Sequence, residues 1–362
     1  MTETKTSRRG FLGATAAAAG LAAAPSSARA QDTIQLTMVS AWPKNAPGVG
    51  VNAERFARRL EALSGGRIAV NFFAAGELVP PFEAFDAVAQ GTADLAHATP
   101  YYWTGKAPAL HYFTGVPFGL TATEFAAWLE FGGGQALWDE VTAPFGIRAF
   151  YAGSSGTQAG GWFNKEINEL DDFKGLKFRI AGLGGEVLKR LGVATVLTPP
   201  GEIAPSLASG AVDGADWVGP WNDVAFGLHR FAKYYYMPGF HEPGPSLEIL
   251  VNEETYAGLP EELQAAVREA ARAGALETIA DFAYHNIETF PRLAEEGVEV
   301  RRFSDEIVRE LGRVSEEVLA EIAESDELTG RVHASYMAFL RKAVAYAPHA
   351  EQGILEMRAQ VM

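Results

Sequence analysis

The chain has 362 residues, 48% of them hydrophobic and 21% charged, with a formal net charge of −15 and no cysteine. That length and balance fit two globular lobes with sizeable cores and exclude a disordered chain. The missing cysteine removes disulfides, thiolate metal sites and cysteine nucleophiles, while the acidic charge argues against nucleic acid and anionic membranes as partners.

The first thirty residues stand apart. "TSRRGFLGATAAAAGLAAAPSSARA" opens on the pair Arg8 and Arg9, followed by Phe11 and Leu12. An Ala-rich apolar stretch then ends at Ala28-Arg29-Ala30, which has the A-x-A form of a cleavage site. The stretch is shorter than the roughly 20 residues a bilayer span needs. Residues 1–30 are expected to be a twin-arginine export signal, cleaved after Ala30, with a soluble periplasmic chain beginning at Gln31. The alternative is a retained N-terminal anchor. Losing residues 1–30 removes four basic side chains and one acid, leaving 26 basic against 44 acidic, or −18. An anionic ligand would therefore need a local positive group to overcome the field.

Beyond the signal the pattern alternates. "IQLTMVSAW" reads as a strand, "VNAERFARRLEALSGG" as a helix ended by Gly, and "RIAVNFFA" as a second strand. "PPFEAFDAVAQG" reads as a helix with Pro at its start and Gly at its end, and "ADLAHAT" as a third strand. This βαβαβ opening predicts a mainly parallel sheet covered by helices. The order recurs from "LKFRIA" through "GGEVLKRLG", "ATVLTP" and "EIAPSLASG" to "AVDGADWV". "AVAQGTADLAH" and "SLASGAVDGAD" share one local form: a helix end, a Gly, a small turn, an Asp and a strand of small residues. "SLEILVN" is a further strand, followed by a very long helical pattern that Pro291 should break or kink. After the late strand "VEVRRF", two helices are expected over 304–325 and 326–347. The second carries Val332, Tyr336, Phe339, Leu340 and Val344 as an apolar stripe, which packs on the protein's own lobes or on a second subunit. The fold class is α/β, a two-lobe binding protein. Its expected parts are a first lobe over 31–150 with part of 240–290, a second over 151–239 with part of 291–325, and a C-terminal helical segment over 326–362.

Arg179, in "GLKFRIAG", points from near the C-terminal end of its strand, where open α/β sheets bind ligands. A guanidinium takes a carboxylate through two parallel hydrogen bonds, although a structural ion pair is the plainer reading. Gln158, in "GSSGTQAGGWF", lies in a Gly-rich loop that lets an amide approach a ligand closely; a surface turn would look the same. Asp216 and Trp217 end "AVDGADWV", and Glu242 lies in the loop "GFHEPGP". Two carboxylates there could act as an acid–base pair, hold a hard cation together with Gln158, or simply be solvated. Tyr101 and Tyr102 stand at the matching strand end of the first lobe, with Trp42 after the first strand, as walls for a small pocket or as lobe-edge packing. No G-x-S-x-G elbow, P-loop, S-x-x-K or H-E-x-x-H occurs.

"FKGLKFRIAGLGGEVLKRLGVATVLTPPGEIAPSLASGAVDGADWVGP", "GTQAGGWFNKEI" and "MPGFHEPGPSLEILVN" together resemble the substrate-binding subunits of tripartite ATP-independent periplasmic (TRAP) transporters. The resemblance covers the chain from about Gln31 onward and points to the branch that binds 2-oxo acids such as pyruvate and 2-oxobutyrate, or 2-hydroxy acids such as lactate. It implies two lobes with a long helix spanning both, and no catalysis. It implies that Arg179 pairs with the substrate carboxylate. Gln158, Asp216, Trp217 and Glu242 correspond to positions that hold a cation, Na⁺ or Ca²⁺, bridging ligand and protein. Gln158, Trp217, Tyr101 and Tyr102 correspond to positions that contact the substrate. The implied partners are the organic acid, the membrane permease subunits and, through the C-terminal helices, a second copy of the chain. A receptor for a dicarboxylate or sugar acid stays open as an alternative, as does an exported hydrolase or lyase using Asp216 and Glu242.

Overall fold

The computed structural model describes residues Thr33–Met362; the expected export signal and its cleavage site lie outside the described residues. Eleven strands build two sheets: β1 (Ile34–Ser40), β2 (Ile68–Phe73), β3 (Leu95–Ala98), β4 (Ile147–Ser154), β5 (Gly161–Phe163), β6 (Lys177–Arg179), β7 (Ala194–Val196), β8 (Gly214–Ala215), β9 (Tyr234–Tyr236), β10 (Ser246–Asn252) and β11 (Glu299–Arg301). The first sheet has the order β2-β1-β3-β10-β4 and the second β11-β9-β5-β8-β6-β7. β1 is parallel to β2 and β3, and β6 is parallel to β7 and β8, as the alternating pattern requires. β10 returns to the first sheet antiparallel to both β3 and β4, and β5 enters the second antiparallel to β8 and β9. β4 runs through residue 150 to Ser154 without leaving the first sheet.

The two short matching segments fold alike. Asp94 donates its N–H to the Thr37 carbonyl, and its Oδ2 accepts from the Thr37 N–H at 2.7 Å. Asp213 does the same with Lys177, its Oδ2 accepting at 2.9 Å. In each sheet an Asp side chain thus extends the ladder by one rung just before β3 or β8. Gly91 and Gly210, at φ 72 and 71, supply the left-handed turn that precedes each. The site residues Tyr101 and Asp216 follow the opposite, C-terminal ends of β3 and β8.

One stretch differs from the loop read from its glycines. Gly161-Trp162-Phe163 is β5, inside the second sheet. Trp162 stacks on Tyr235 with ring centroids 4.1 Å apart, and Phe163 stacks on Phe178 at 4.7 Å. These aromatic contacts outweigh the local glycine signal. The helices Ala122–Phe131 and Gly134–Thr142 carry no reading in the sequence, while Glu351–Ala359 falls in the expected C-terminal helical segment.

The long helix spans Glu261–Thr289, 29 residues, and stops before Pro291. It packs against β4 and the helix Val49–Leu63 and also against the helix Pro220–Ala225, so it touches elements of both lobes. The helices Asp305–Ala323 and Glu327–Tyr346 follow, with Ser304 and Asp326 as N-caps accepting from Ile307 and Thr329. Of the stripe, Val332 and Tyr336 are buried, Phe339 and Leu340 pack at the core's edge, and Val344 is exposed. Tyr336 packs edge-on against Trp128, and its hydroxyl accepts from the Leu120 N–H at 2.8 Å. Among the described residues, no helix is long and apolar enough to cross a membrane.

Candidate functional site

β6 sits between β7 and β8, with Phe178 turned into the core and Arg179 turned toward the strand ends. Arg179 is 0% exposed. Its Nη1 donates to the Asp216 carbonyl at 2.6 Å and its Nη2 to the Thr198 carbonyl at 3.3 Å, while Nε has no partner. The Asp216 N–H donates back to the Arg179 carbonyl at 2.8 Å, so the two residues are locked by the ladder as well as by side chains. The Arg179 guanidinium also lies 3.6 Å from Asp216 Oδ2 and 5.6 Å from the Trp217 ring centre.

Asp216 and Glu242 come together. Both are buried, and the ligating atoms of Asp216, His241 and Glu242 all lie within 4.8 Å of one another. Among the described residues, none of the four carboxylate oxygens has a hydrogen-bond partner. Gln158 adds a fifth such oxygen, Oε1, while its Nε2 donates to Ser155 Oγ at 2.9 Å. The Gln158 N–H donates to the Glu242 carbonyl at 3.1 Å, and the Gly239 N–H to the Gln158 carbonyl at 2.7 Å. Those two bonds tie the loops that carry Gln158 and Glu242 to each other. Burial pushes the Glu242 carboxyl up to about 8, helped by the charge of Asp216 and opposed by His241 and Arg179.

Buried polar atoms are bonded in more than about nine cases in ten, so five orphaned oxygens in one place call for an explanation. A hard cation supplies one, because Na⁺ and Ca²⁺ take only oxygen ligands of this kind, and it offsets two buried negative charges. The residues present thus fit a bound cation.

His241 was not singled out from the sequence, although it adjoins Glu242 in the same loop. It is buried, and its Nε2 stands 3.2 Å from Asp216 Oδ1, without the alignment of a hydrogen bond. Burial opposes its protonation, but the charges of Asp216 and Glu242 together outweigh burial and raise its pKa. A single histidine outside any recognised metal spacing carries no sequence signal of its own; its place beside Glu242 was the clue available.

Trp217 lies 6.3 Å from Trp42 between ring centres, 5.3 Å from Phe226, and keeps an unpartnered Nε1. The Trp42 indole N–H donates to His97 Nδ1 at 2.7 Å, which fixes the ring. An indole can only donate, so His97 Nδ1 carries no proton; burial takes its pKa down to about 3. Tyr101 and Tyr102 lie on the short turn Pro100–Trp103 after β3. Tyr101 reaches across to the start of the helix Gly182–Arg190, where a Cβ on Gly182 would meet its ring at 3.2 Å. The Tyr102 hydroxyl is buried without a partner. Burial raises the pKa of both tyrosines, so both phenols keep their protons to donate.

At the start of the helix Pro220–Ala225 the N–H groups before the first turn are taken by Asp223. Asp223 Oδ1 accepts from the Val218 and Gly219 N–H groups at 3.0 and 3.1 Å. Its Oδ2 accepts from Trp162 Nε1 at 2.9 Å and from the Tyr235 hydroxyl at 2.8 Å. Burial pushes Asp223 up to about 7 against the Trp162, Val218 and Tyr235 donors. Trp221 stacks on His285 at 4.2 Å, and Asn222 turns toward the first sheet, where its Nδ2 donates to the Pro47 carbonyl at 2.7 Å.

Residues 38–326 match DctP, described as bacterial extracellular solute-binding protein, family 7. The chain is 41% identical over 313 residues, 86% of each chain, to the monocarboxylate 2-oxoacid-binding periplasmic protein of Nostoc sp.. Among solved structures it resembles a TRAP periplasmic solute-binding protein of Pseudoalteromonas atlantica with bound sodium and pyruvate. That match has 34% identity and a TM-score of 0.87, covering 90% of this chain and 99% of the other. A TRAP solute-binding protein of Bordetella bronchiseptica, a dimer with copurified calcium and picolinate in one site and an apo site, gives 31% identity and a TM-score of 0.89. It covers 91% of this chain and 98% of the other. With these matches, two α/β lobes around a buried arginine and a cluster of orphaned oxygens place the chain in the family 7 extracellular solute-binding proteins, the solute receptors of TRAP transporters.

Proposed function

We propose that this receptor captures a small 2-oxo or 2-hydroxy monocarboxylate, such as pyruvate, 2-oxobutyrate or lactate, and delivers it to the membrane permease subunits. Arg179 takes the carboxylate. Gln158, Asp216, the Trp217 backbone and Glu242 hold Na⁺ or Ca²⁺, which binds the carboxylate and the C2 oxygen together. Arg179 alone accepts any carboxylate, whereas the chelate selects an oxygen at C2. Tyr101 and Tyr102 add hydroxyl donors, and Gln158 and Trp217 also contact the ligand. The observation that carries this reading is the five buried, unpartnered oxygens of Gln158, Asp216 and Glu242 beside a fully buried guanidinium.

The ligand class of the Nostoc relative and the sodium and pyruvate of the Pseudoalteromonas structure support the same assignment. Residues 31–150 and 151–239 form the bulk of the two lobes, 240–290 and 291–325 return to them, and 326–362 is the C-terminal helical segment. The protein reaches the periplasm through the twin-arginine signal of residues 1–30, cleaved after Ala30, and the C-terminal helices offer a face for a homodimer. A dicarboxylate would need a second buried cation, and the site's other base, His241, faces Asp216. A thermal-shift screen of small organic acids, each with and without Ca²⁺ and Na⁺, tests the reading. Stabilisation by 2-oxo and 2-hydroxy monocarboxylates only with a cation is expected; stabilisation by acetate or succinate to the same degree overturns it.

A further inference from the structure

A cavity of about 20 Å³ adjoins Gln158 and Trp217, with Trp42, Val49, Val218 and Leu247 in its wall. It has room for one water- or methyl-sized group. Val49 reaches it from an unusual piece of backbone. Gly48 has φ 64 and ψ −86, and the Val49 N–H donates to the Pro47 carbonyl at 2.8 Å. That is a γ-turn of the rare positive-φ form. No other residue fits there, because a Cβ on Gly48 would lie 2.4 Å from Phe282 Cζ.

The turn is also held from the opposite lobe. Asn222, fully buried and six residues beyond Asp216, donates Nδ2 to the same Pro47 carbonyl at 2.7 Å. Its neighbour Trp221 packs edge-on against the same Phe282 and donates its N–H to Asn286 at 3.0 Å. The long helix therefore presses on the turn through Phe282 and holds the Asn222 helix through Phe282, His285 and Asn286. In this structure the Asn222–Pro47 bond ties the turn to the segment that follows Asp216 and Trp217.

We infer that the Pro47–Val49 turn, clamped by Asn222, gauges the length of the acid on which this receptor closes. The inference rests on the ligand class proposed above and adds the residue that sets chain length. With the carboxylate at Arg179 and the C2 oxygen on the cation, the alkyl remainder enters the cavity against Val49. A methyl group leaves the turn in place. A longer chain pushes Val49, shifts the Pro47 carbonyl and breaks the Asn222 bond. Val49 is the specificity-determining residue and Asn222 a positioning residue that makes the wall stiff. One methylene in such a pocket is worth about 10–200-fold in discrimination.

The test is titration calorimetry of the mature chain with pyruvate, 2-oxobutanoate and 2-oxopentanoate in 1 mM CaCl2, at about the same protein concentration throughout. Val49→Ala should move the affinity ratio of 2-oxopentanoate to pyruvate up by about tenfold or more, and Val49→Leu should move it down. The two substitutions act in opposite directions, so loss of folding in one leaves the other decisive. Asn222→Ala should weaken pyruvate by about 3–10-fold, the worth of one hydrogen bond, and also bring the ratio toward one, which a purely structural loss would not do. If the wild type binds pyruvate but the ratio stays within threefold in every variant, the gauge is wrong and the ligand class stands. If the wild type binds none of the three acids, the ligand class falls and the gauge with it.

Discussion

Replacing Arg179 by Ala probes the reading where it is most exposed to failure. The guanidinium is fully buried and spends two N–H groups on the Asp216 and Thr198 carbonyls, leaving Nε without a partner among the described residues. A carboxylate arriving there gains charge-assisted bonds in a site shielded from water, each worth about 1.5–3 kcal/mol. The substitution removes those bonds and leaves an incoming carboxylate facing Asp216 and Glu242 with only the cation to offset them. Truncating one partner of a buried charge pair costs about 2–5 kcal/mol, so pyruvate affinity should fall by roughly 30- to 5,000-fold. Arg179→Lys keeps the charge but cannot hold both carbonyls and a carboxylate at once, and should fall between wild type and Ala. Titration calorimetry with Ca²⁺ present reads both variants, and circular dichroism confirms that each is folded. A folded Arg179→Ala protein that binds pyruvate within threefold of wild type refutes the assignment.

Other outcomes follow from the same geometry. Glu242→Gln removes one anionic ligand but keeps an oxygen, so Ca²⁺ affinity should drop by at least about tenfold; unchanged Ca²⁺ titration removes Glu242 from the cation site. Tyr336→Phe orphans the buried Leu120 N–H and should cost about 1–3 kcal/mol. At about 2.1 cal/mol/K per residue, some 330 residues give roughly 0.7 kcal/mol/K, so Tm should fall by about 1.4–4.3 °C with pyruvate affinity unchanged. A Tm unaffected by this change would mean that the last long helix does not anchor on the first lobe.

Much of this was legible in the residues, for identifiable reasons. The strand ends at Arg179 and Asp216 follow from period-2 runs bounded by Gly turns, and the helix caps at Ser304 and Asp326 from short polar residues before apolar repeats. The Asp of "TADL" and of "AVDG" reads only as the residue between a small turn and a strand; in both sheets it extends the ladder, a role visible only once Thr37 and Lys177 are alongside. β5 was hidden because its stability comes from Tyr235 and Phe178, far along the chain. His241, Asp223 and Asn222 escaped for the same reason. Each acts on a group brought near by folding: Asp216, Trp162 with Tyr235, and Pro47. The cation reading came from the family resemblance, since two loop acids and a glutamine are equally consistent with solvated side chains until burial and missing partners are known.

The most direct test of the central idea is one calorimetric comparison of pyruvate and propanoate, acids of like size that differ at C2, first with 1 mM CaCl2 and then after exhaustive chelation in a sodium-free buffer. If a cation held by Gln158, Asp216 and Glu242 chelates the C2 oxygen, pyruvate should bind far more tightly than propanoate with Ca²⁺ present, and that advantage should vanish once the cation is gone. Equal pyruvate affinity in both buffers would contradict the cation bridge and leave Arg179 as the whole of the recognition.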